Sequence, residues 1–102
     1  MTITRTDRSG TITVKIEGWL DIDSTPQFHE YQEKLENTAS LIFDFENLEY
    51  ISSSGVREIV AAYRRQKASG GTFAVINASP EVFQVFRMTG LDRKISITEK
   101  GD

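Results

Sequence analysis

The sequence predicts a small α/β domain, in which a mostly parallel sheet begins with an antiparallel hairpin and carries its helices mainly on one face. The first observation is the element order, β-β-α-β-α-β-α-β, since strands that alternate with helices are typical of a parallel sheet with right-handed crossovers. The second is the apolar–polar alternation of the second and last strands, because strands covered on both faces are apolar throughout. We therefore expect residues 1–102 to form one domain with a single β/α layer.

The hairpin is predicted from a turn signal between two strand-like segments. Arg8-Ser9-Gly10 separates a strand from Met1 to Asp7 and a second strand from Thr11 to Glu17. In the second strand the apolar side chains alternate with threonine, lysine and glutamate, so that one face is expected to be buried. The apolar residues of that strand are Ile12, Val14 and Ile16.

The first helix is predicted to follow a loop over residues 18–26. Asp23 or Ser24 can cap this helix, and Pro26 suits its first turn, where a missing N–H has no cost. The helix is predicted to reach about Glu36.

The second half repeats strand and helix, with glycines at the expected helix ends. It consists of a strand at 41–45, a helix from about Ser54 to Ser69-Gly70-Gly71, a strand at 72–77, a helix from about Ser79 to Thr89, and a last strand marked by Ile95 and Ile97.

Composition excludes several classes of function. There are no cysteines and only one histidine, His29, so disulfides, thiolate chemistry and histidine-rich metal sites are excluded. The net charge of −3, from 12 basic and 15 acidic side chains, argues against a nucleic-acid partner. No run of 18 apolar residues occurs, so we expect a cytoplasmic domain that does not insert into a membrane.

The most informative segment is Ser52-Ser53-Ser54-Gly55, because three hydroxyls and a glycine lie where a strand is predicted to meet a helix. The helix is indicated by the apolar spacing of Val56, Ile59, Val60 and Tyr63. Free backbone N–H groups and the positive end of the helix dipole are found at such a junction. A serine there could be a helix cap, a nucleophile or an acceptor of phosphate.

Neither catalysis nor nucleotide binding is favoured. A serine nucleophile at this type of turn requires Gly-x-Ser-x-Gly and a histidine base, but the first glycine is missing and His29 lies on the first predicted helix. The chain contains no Gly-x-x-x-x-Gly-Lys-Ser/Thr segment either. We therefore expect no enzymatic activity and no cofactor.

Three carboxylates, Asp21, Asp23 and Asp44, raise the possibility of acid–base chemistry or Mg²⁺ binding. Their spacing does not specify a metal site, and aspartate is favoured before a helix simply as a cap. Structural roles are preferred for all three, and no metal is expected. Trp19 follows a glycine in the same loop, where an exposed interface anchor and a buried side chain are equally compatible with the sequence.

Three segments together resemble the STAS domain, specifically the bacterial anti-sigma factor antagonists. The segment from Asp44 to Val56 is similar to the family's Asp-Ser-Ser-Gly signature and the residues before it. Gly18-Trp-Leu-Asp21 resembles the family's Gly-Glu-Leu-Asp, and residues 71–91 resemble its closing strand and helix. The resemblance covers nearly the whole chain, with the order and spacing of the elements kept.

The resemblance implies a protein that binds an anti-sigma factor serine kinase and thereby releases a sigma factor. In the family the kinase phosphorylates the first serine of Ser-Ser-Gly, and a serine phosphatase restores it; the acceptor here is Ser53, with Ser52, Ser54 and Gly55 as the surrounding loop and cap. Trp19 and Asp21 are expected to contact the partner. The chain departs from the family pattern at two positions, since Ser52 replaces an aspartate and Trp19 a glutamate.

An alternative role is that of an unphosphorylated STAS subunit docked in a membrane transport system, which agrees with the serine at position 52. In either role we expect a monomer or a weak dimer.

Overall fold

A computed structural model describes residues 1–101. The elements, in chain order, are β1 Thr2–Arg8, β2 Thr11–Leu20, α1 Thr25–Glu33, β3 Ser40–Asp44, β4 Leu48–Ile51, α2 Ser53–Ala68, β5 Thr72–Ala78, α3 Pro80–Met88, a 3-10 helix Leu91–Arg93, and β6 Ser96–Glu99.

The sheet has the order β1-β2-β3-β5-β6, and β4 pairs with the end of β2. Within residues 1–101 only β1 and β2 are antiparallel; the other pairs are parallel. Strand β2 is the longest, at 10 residues, and it pairs with β3 near its start and with β4 near its end. The predicted hairpin and mostly parallel sheet are confirmed.

Aromatic contacts show that all three helices pack on one face of the sheet. Tyr63 of α2 lies edge-on to Phe73 of β5, with ring centroids 6.1 Å apart. Phe43 of β3 lies edge-on to Phe28 of α1, with ring centroids 5.7 Å apart. Phe45, just after β3, lies 6.4 Å from Phe86 of α3. In β2, buried Ile12, Val14 and Ile16 alternate with partly exposed polar residues, as predicted for a sheet with one covered face.

The first helix is shorter than predicted. It ends at Glu33, and the next N–H groups, of Lys34 and Leu35, donate to carbonyls only three residues back, which tightens the last turn. Glu36, predicted near the helix end, instead accepts two hydrogen bonds from Arg5 of β1, at 2.7 and 2.8 Å.

Two predictions about the residues around the serine segment are wrong. Trp19 does not lie in a loop, because β2 continues through a bulge to Leu20; Gly18 has a φ of 95°, which glycine adopts without strain. The predicted strand at 41–45 does not lead directly into the helix either. The short strand β4 follows it and pairs with Trp19 and Leu20, so β4 delivers the chain to α2.

None of the helices within residues 1–101 is long and apolar enough to cross a membrane.

Candidate functional site

Helix α2 begins at Ser53, and the residue before it caps the helix. Ser52 has extended backbone angles, and its Oγ accepts a hydrogen bond from the Gly55 N–H at 3.2 Å. The Ser52 N–H donates to the carbonyl of Leu20, at 2.9 Å, which anchors the start of α2 to the end of β2. The cap that an aspartate would supply is therefore supplied here by a neutral hydroxyl.

The hydroxyls around the cap form a directed chain of hydrogen bonds. Thr25 Oγ1 donates to the Asp21 carbonyl at 2.6 Å, so its one proton is used there. It must then accept from Ser54 Oγ, 3.2 Å away, and Ser54 Oγ in turn accepts from Ser52 Oγ at 2.8 Å. The hydroxyls of Ser52 and Ser54 are both engaged in this chain.

Ser53 differs from its two neighbours. Its side chain is exposed, whereas those of Ser52 and Ser54 are partly buried. Within residues 1–101 the Ser53 hydroxyl makes no hydrogen bond. Arg57, one helical turn further on, is also exposed, and residues at this spacing are neighbours on a helix surface. Of the three serines, only Ser53 has a hydroxyl free to react.

Gly55 allows α2 to approach the sheet closely. A Cβ at this position would lie 2.8 Å from the Leu20 carbonyl oxygen and 2.9 Å from Ile51 Cγ1. Because the nearest of these atoms belongs to the backbone, a side chain could be accepted only if the helix start moved. The glycine therefore helps to set the position of Ser53.

An exposed aromatic pair lies beside residues 52–55, which we call the serine junction. Trp19 and Tyr50 occupy paired positions on β2 and β4, and their ring centroids are 5.2 Å apart. Trp19 is 55% exposed and Tyr50 45%, and Ile22, three residues after Trp19, is 74% exposed. We call Trp19 and Tyr50 the aromatic patch.

The Asp21 carboxylate organises the loop before α1. Its Oδ1 accepts hydrogen bonds from the backbone N–H groups of Ser24, at 3.0 Å, and Asp23, at 3.1 Å. These bonds, that of Ser24 first, lower the pKa of Asp21. The carboxylate thus substitutes for a helix cap, since the Ser24 side chain makes no cap bond at the start of α1.

The structure brings the predicted site residues to one corner of the sheet. Trp19 and Asp21 flank Leu20, whose carbonyl accepts the Ser52 N–H, and Asp21 is linked to Ser54 through Thr25. Asp44 and His29, which were also considered from the sequence, lie outside this network. Asp44 accepts from the Glu46 N–H and the Asn77 side-chain amide, at 2.9 and 3.1 Å.

His29 contacts glutamates and not the serine junction. Its Nε2 lies 2.8 Å from Glu33 and its Nδ1 3.1 Å from Glu58 of α2. The hydrogen bond and charge of Glu58, with a smaller contribution from Glu33, raise the pKa of His29. Within residues 1–101 no group of three or more histidine, aspartate or glutamate side chains is arranged to hold a metal ion.

Sequence reasoning missed three residues of this corner. Tyr50 lies on a strand that was not predicted, and Ile22 lies in a loop considered for its carboxylates and for Trp19. Thr25 was placed in the predicted loop over residues 18–26 without a role, although its hydroxyl links Asp21 to Ser54. The pairing of Trp19 with Tyr50 has no signal in the sequence, because it depends on the register between β2 and β4.

Comparisons with known proteins agree with this architecture. The family model described as "STAS domain" matches residues 2–101. The anti-sigma-B factor antagonist of Bacillus subtilis (strain 168) is 30% identical over 92 residues, which are 89% of this chain and 84% of that protein.

Three solved structures share the fold. The crystal structure of an anti-sigma factor antagonist from Mycobacterium paratuberculosis superposes with a TM-score of 0.88 at 22% identity, covering 99% of this chain and 87% of that one. The Bacillus cell fate determinant SpoIIAA in its phosphorylated form has a TM-score of 0.69 at 23% identity, covering 95% and 91%. A sulfate transporter family protein from Wolinella succinogenes has a TM-score of 0.79 at 11% identity, covering 95% and 83%. The resemblance noted from the sequence is confirmed, and the chain belongs to the STAS domain family.

Proposed function

We propose that this protein is an anti-sigma factor antagonist, a regulatory binding protein and not an enzyme. In this proposal it binds an anti-sigma factor serine kinase in the cytoplasm and so frees a sigma factor. Phosphorylation of Ser53 by that kinase ends the binding, and a serine phosphatase restores it. The single observation that carries the proposal is the state of the three serines, since Ser53 alone has an exposed hydroxyl without a hydrogen bond within residues 1–101. The name of the Bacillus subtilis relative supports the choice of partner.

The start of α2 suits a phosphate chemically. Phosphoserine adds about −1.5 to −2 charges and three strong acceptor oxygens. The first N–H groups of a helix have no partner within it, and the helix dipole favours negative charge there. Arg57 supplies a cation one turn away. We therefore expect the phosphorylated protein to stay folded.

Binding, in contrast, would be lost. The aromatic patch offers a partner a large apolar contact on the strands whose ends adjoin the start of α2. A partner group that covers Ser53 would have to desolvate the phosphate as well as the apolar rings. A penalty of only ~2.8 kcal/mol weakens an affinity about a hundredfold.

Phosphorylation of Ser53 is tested by incubating the protein with each serine-kinase anti-sigma factor of the same cell and ATP, followed by intact-mass and peptide mass spectrometry. We expect the addition of one phosphoryl group, located on Ser53. The matched control is Ser53→Ala, which keeps Ser52 and Ser54. Equal labelling of the Ser53→Ala variant would show that the acceptor has been assigned to the wrong serine.

A second candidate is an unphosphorylated docking subunit of a membrane transport system. Two observations favour it: the fold is shared with a sulfate transporter family protein, and Ser52 stands where the antagonists have aspartate. In that role the junction would bind a transporter component, such as its ATPase, without being modified. Binding to the transporter ATPase, with neither binding to the kinases nor phosphate transfer from ATP, would count against our proposal and favour this one.

A further inference from the structure

A second site lies at the opposite end of α2 from Ser53. The last turns of α2 and the segment around the 3-10 helix enclose a groove of about 570 Å³, which we call the α2 groove. This volume falls within the range of roughly 300–1,000 Å³ found for small-molecule sites. Arg64 lies eleven positions after Ser53 on the helix, which is about 16.5 Å at 1.5 Å per residue. The α2 groove is therefore separate from the serine junction.

The floor of the α2 groove is apolar. It includes Val60 of α2 and, from across the groove, Leu91 and Ile95. Ile95 is part of the buried core, and Val60 and Leu91 pack against that core while staying partly exposed. A ligand lying here would cover aliphatic surface that the fold leaves in contact with water.

The rim is positively charged, although the chain as a whole has a net charge of −3. Arg64 and Lys67 approach from α2 and Lys94 from the other side. All three are exposed, and none forms a salt bridge with a carboxylate of residues 1–101. Lys67 Nζ lies 3.2 Å from Tyr63 Oη, which holds this ammonium at the groove.

Positive charge collects at this end of α2. Arg64 and Lys67 lie in the last turns of the helix, where the helix dipole favours cations, and Lys94 lines the groove from the other side. An anion between Arg64, Lys67 and Lys94 would be attracted by all three. The groove thus combines an apolar floor with a positively charged rim.

We propose that the α2 groove binds a small organic anion that has an apolar or aromatic body and a phosphate, sulfonate or carboxylate head. The body lies on Val60, Leu91 and Ile95, and the head lies between Arg64, Lys67 and Lys94. The proposal does not depend on Ser53 or on the anti-sigma partner, and its test can fail without affecting the proposed function.

The test compares two fluorescent probes with similar aromatic bodies. One is 8-anilinonaphthalene-1-sulfonate, which carries a sulfonate, and the other is N-phenyl-1-naphthylamine, which is uncharged. Binding is followed by probe fluorescence and by amide chemical shifts in the NMR spectrum. We expect saturable binding of the sulfonate probe, shifts centred on residues 60–68 and 91–95, and binding of the neutral probe weaker by at least about tenfold, or ~1.4 kcal/mol.

Two variants and a control make the test specific. The double variant Arg64→Glu with Lys94→Glu should weaken sulfonate binding by about tenfold or more, since it replaces attraction with repulsion on both sides of the groove. Ala68→Phe should also block binding, without a charge change, because Ala68 lines the groove and is exposed at the end of α2. Arg8→Glu, on the exposed hairpin, should bind as the parent does.

The proposal would be overturned by shifts centred on the aromatic patch, by equal affinities for the two probes, or by equal losses in the Arg8→Glu control and the double variant. A final arm uses vesicles of phosphatidylglycerol to separate a free anion from a lipid headgroup. We expect no cosedimentation with them. Vesicle binding that the double variant abolishes, with sulfonate binding unaffected, would replace the proposed site with a membrane-contact surface.

Discussion

The two ends of helix α2 differ in whether their polar side chains have partners within the protein. At the N-terminal end, the hydroxyls of Ser52, Ser54 and Thr25 are hydrogen-bonded to one another, which leaves Ser53 as the free one. At the C-terminal end, Arg64 and Lys67 have no carboxylate partner within residues 1–101. At the N-terminal end only the Ser53 hydroxyl is free to react, because the neighbouring hydroxyls are already hydrogen-bonded. At the C-terminal end the cations are available to an anionic ligand, because they have no carboxylate partner within residues 1–101. Under the two proposals, a single helix carries a modification site at one end and a separate ligand groove at the other.

The largest effect should come from a charge placed at the N-terminal end. Ser53→Asp puts about one negative charge where the proposed phosphate would be, and we expect binding to the anti-sigma partner to fall by about a hundredfold, or ~2.8 kcal/mol. The same change should leave stability equal or slightly higher, by about 0.3–1 kcal/mol, since negative charge is favourable at a helix start. Calorimetric titration measures the affinity, and circular dichroism checks the fold.

Ser53→Ala is the matched control for this charge. It removes the hydroxyl but leaves Ser52 and Ser54 in the hydrogen-bond chain, so it should bind the partner persistently. If the alanine and aspartate variants bind the partner equally well, a negative charge at position 53 does not control binding. The proposed difference between the two ends of α2 would then be wrong.

The next largest effect is expected on stability, from alanine substitution of the glycine at each end of α2. Gly55→Ala should lower the free energy of unfolding by about 2–3 kcal/mol, because the added methyl meets the Leu20 carbonyl. Gly70→Ala, just beyond the other end, has no atom within 4 Å of its Cβ and a φ of 85°, so its cost is the left-handed strain of about 1–2 kcal/mol. Urea unfolding of both variants measures the difference. A larger loss at Gly70 would reverse the comparison.

A smaller effect is expected from the aromatic patch. Trp19→Ala and Tyr50→Ala should each weaken partner binding by about tenfold, as is usual for exposed aromatic anchors, with little change in melting temperature. Met88→Ala is the matched control, because Met88 is a large apolar side chain that is 76% exposed on α3. An equal loss of affinity in the Met88→Ala variant would show that the patch is not specific.

The smallest effect is a pH dependence confined to the N-terminal half of α2. His29 on α1 is held by Glu58 of α2, which raises the pKa of His29 above its ordinary 6.5. The stabilisation is therefore complete below pH 6.5 and is lost as the pH rises through the higher folded value. Urea midpoints measured from mildly acidic to mildly alkaline pH should decline, and His29→Gln should flatten the curve. An unchanged slope in that variant would exclude His29 as the cause.

The sequence predicted what depends on local pattern. The Arg8-Ser9-Gly10 turn, the alternation in β2 and the glycines after α2 all act on neighbouring residues, and they indicated the hairpin and the one-sided sheet. Strand β4 was missed because its four residues have buried ends and an exposed middle, so they do not alternate. The end of β2 was missed because Gly18 is typical of a loop.

The two functional regions differ in the same way. The serine junction could be located from the sequence, because its hydroxyls and glycine are adjacent along the chain. The α2 groove could not, because Arg64 and Lys94 lie 30 positions apart and line one groove only in the folded chain. The roles of Ser52, Ser54 and Thr25 also depended on tertiary contacts that local patterns do not encode.

The neutral cap at Ser52 affects the change in charge that a partner would meet on the proposed phosphorylation. Residues 52–55 have no charged side chains, so phosphate on Ser53 would take this segment from zero to about −2. With an aspartate at position 52 the same event would run from −1 to about −3, against a background charge that is already present. With serine at position 52, a partner surface would distinguish an uncharged segment from a charged one. It would not have to distinguish two different amounts of negative charge. In the proposed switch, Ser52 therefore leaves the segment without charge before phosphorylation, so that the relative change in charge is larger than with aspartate.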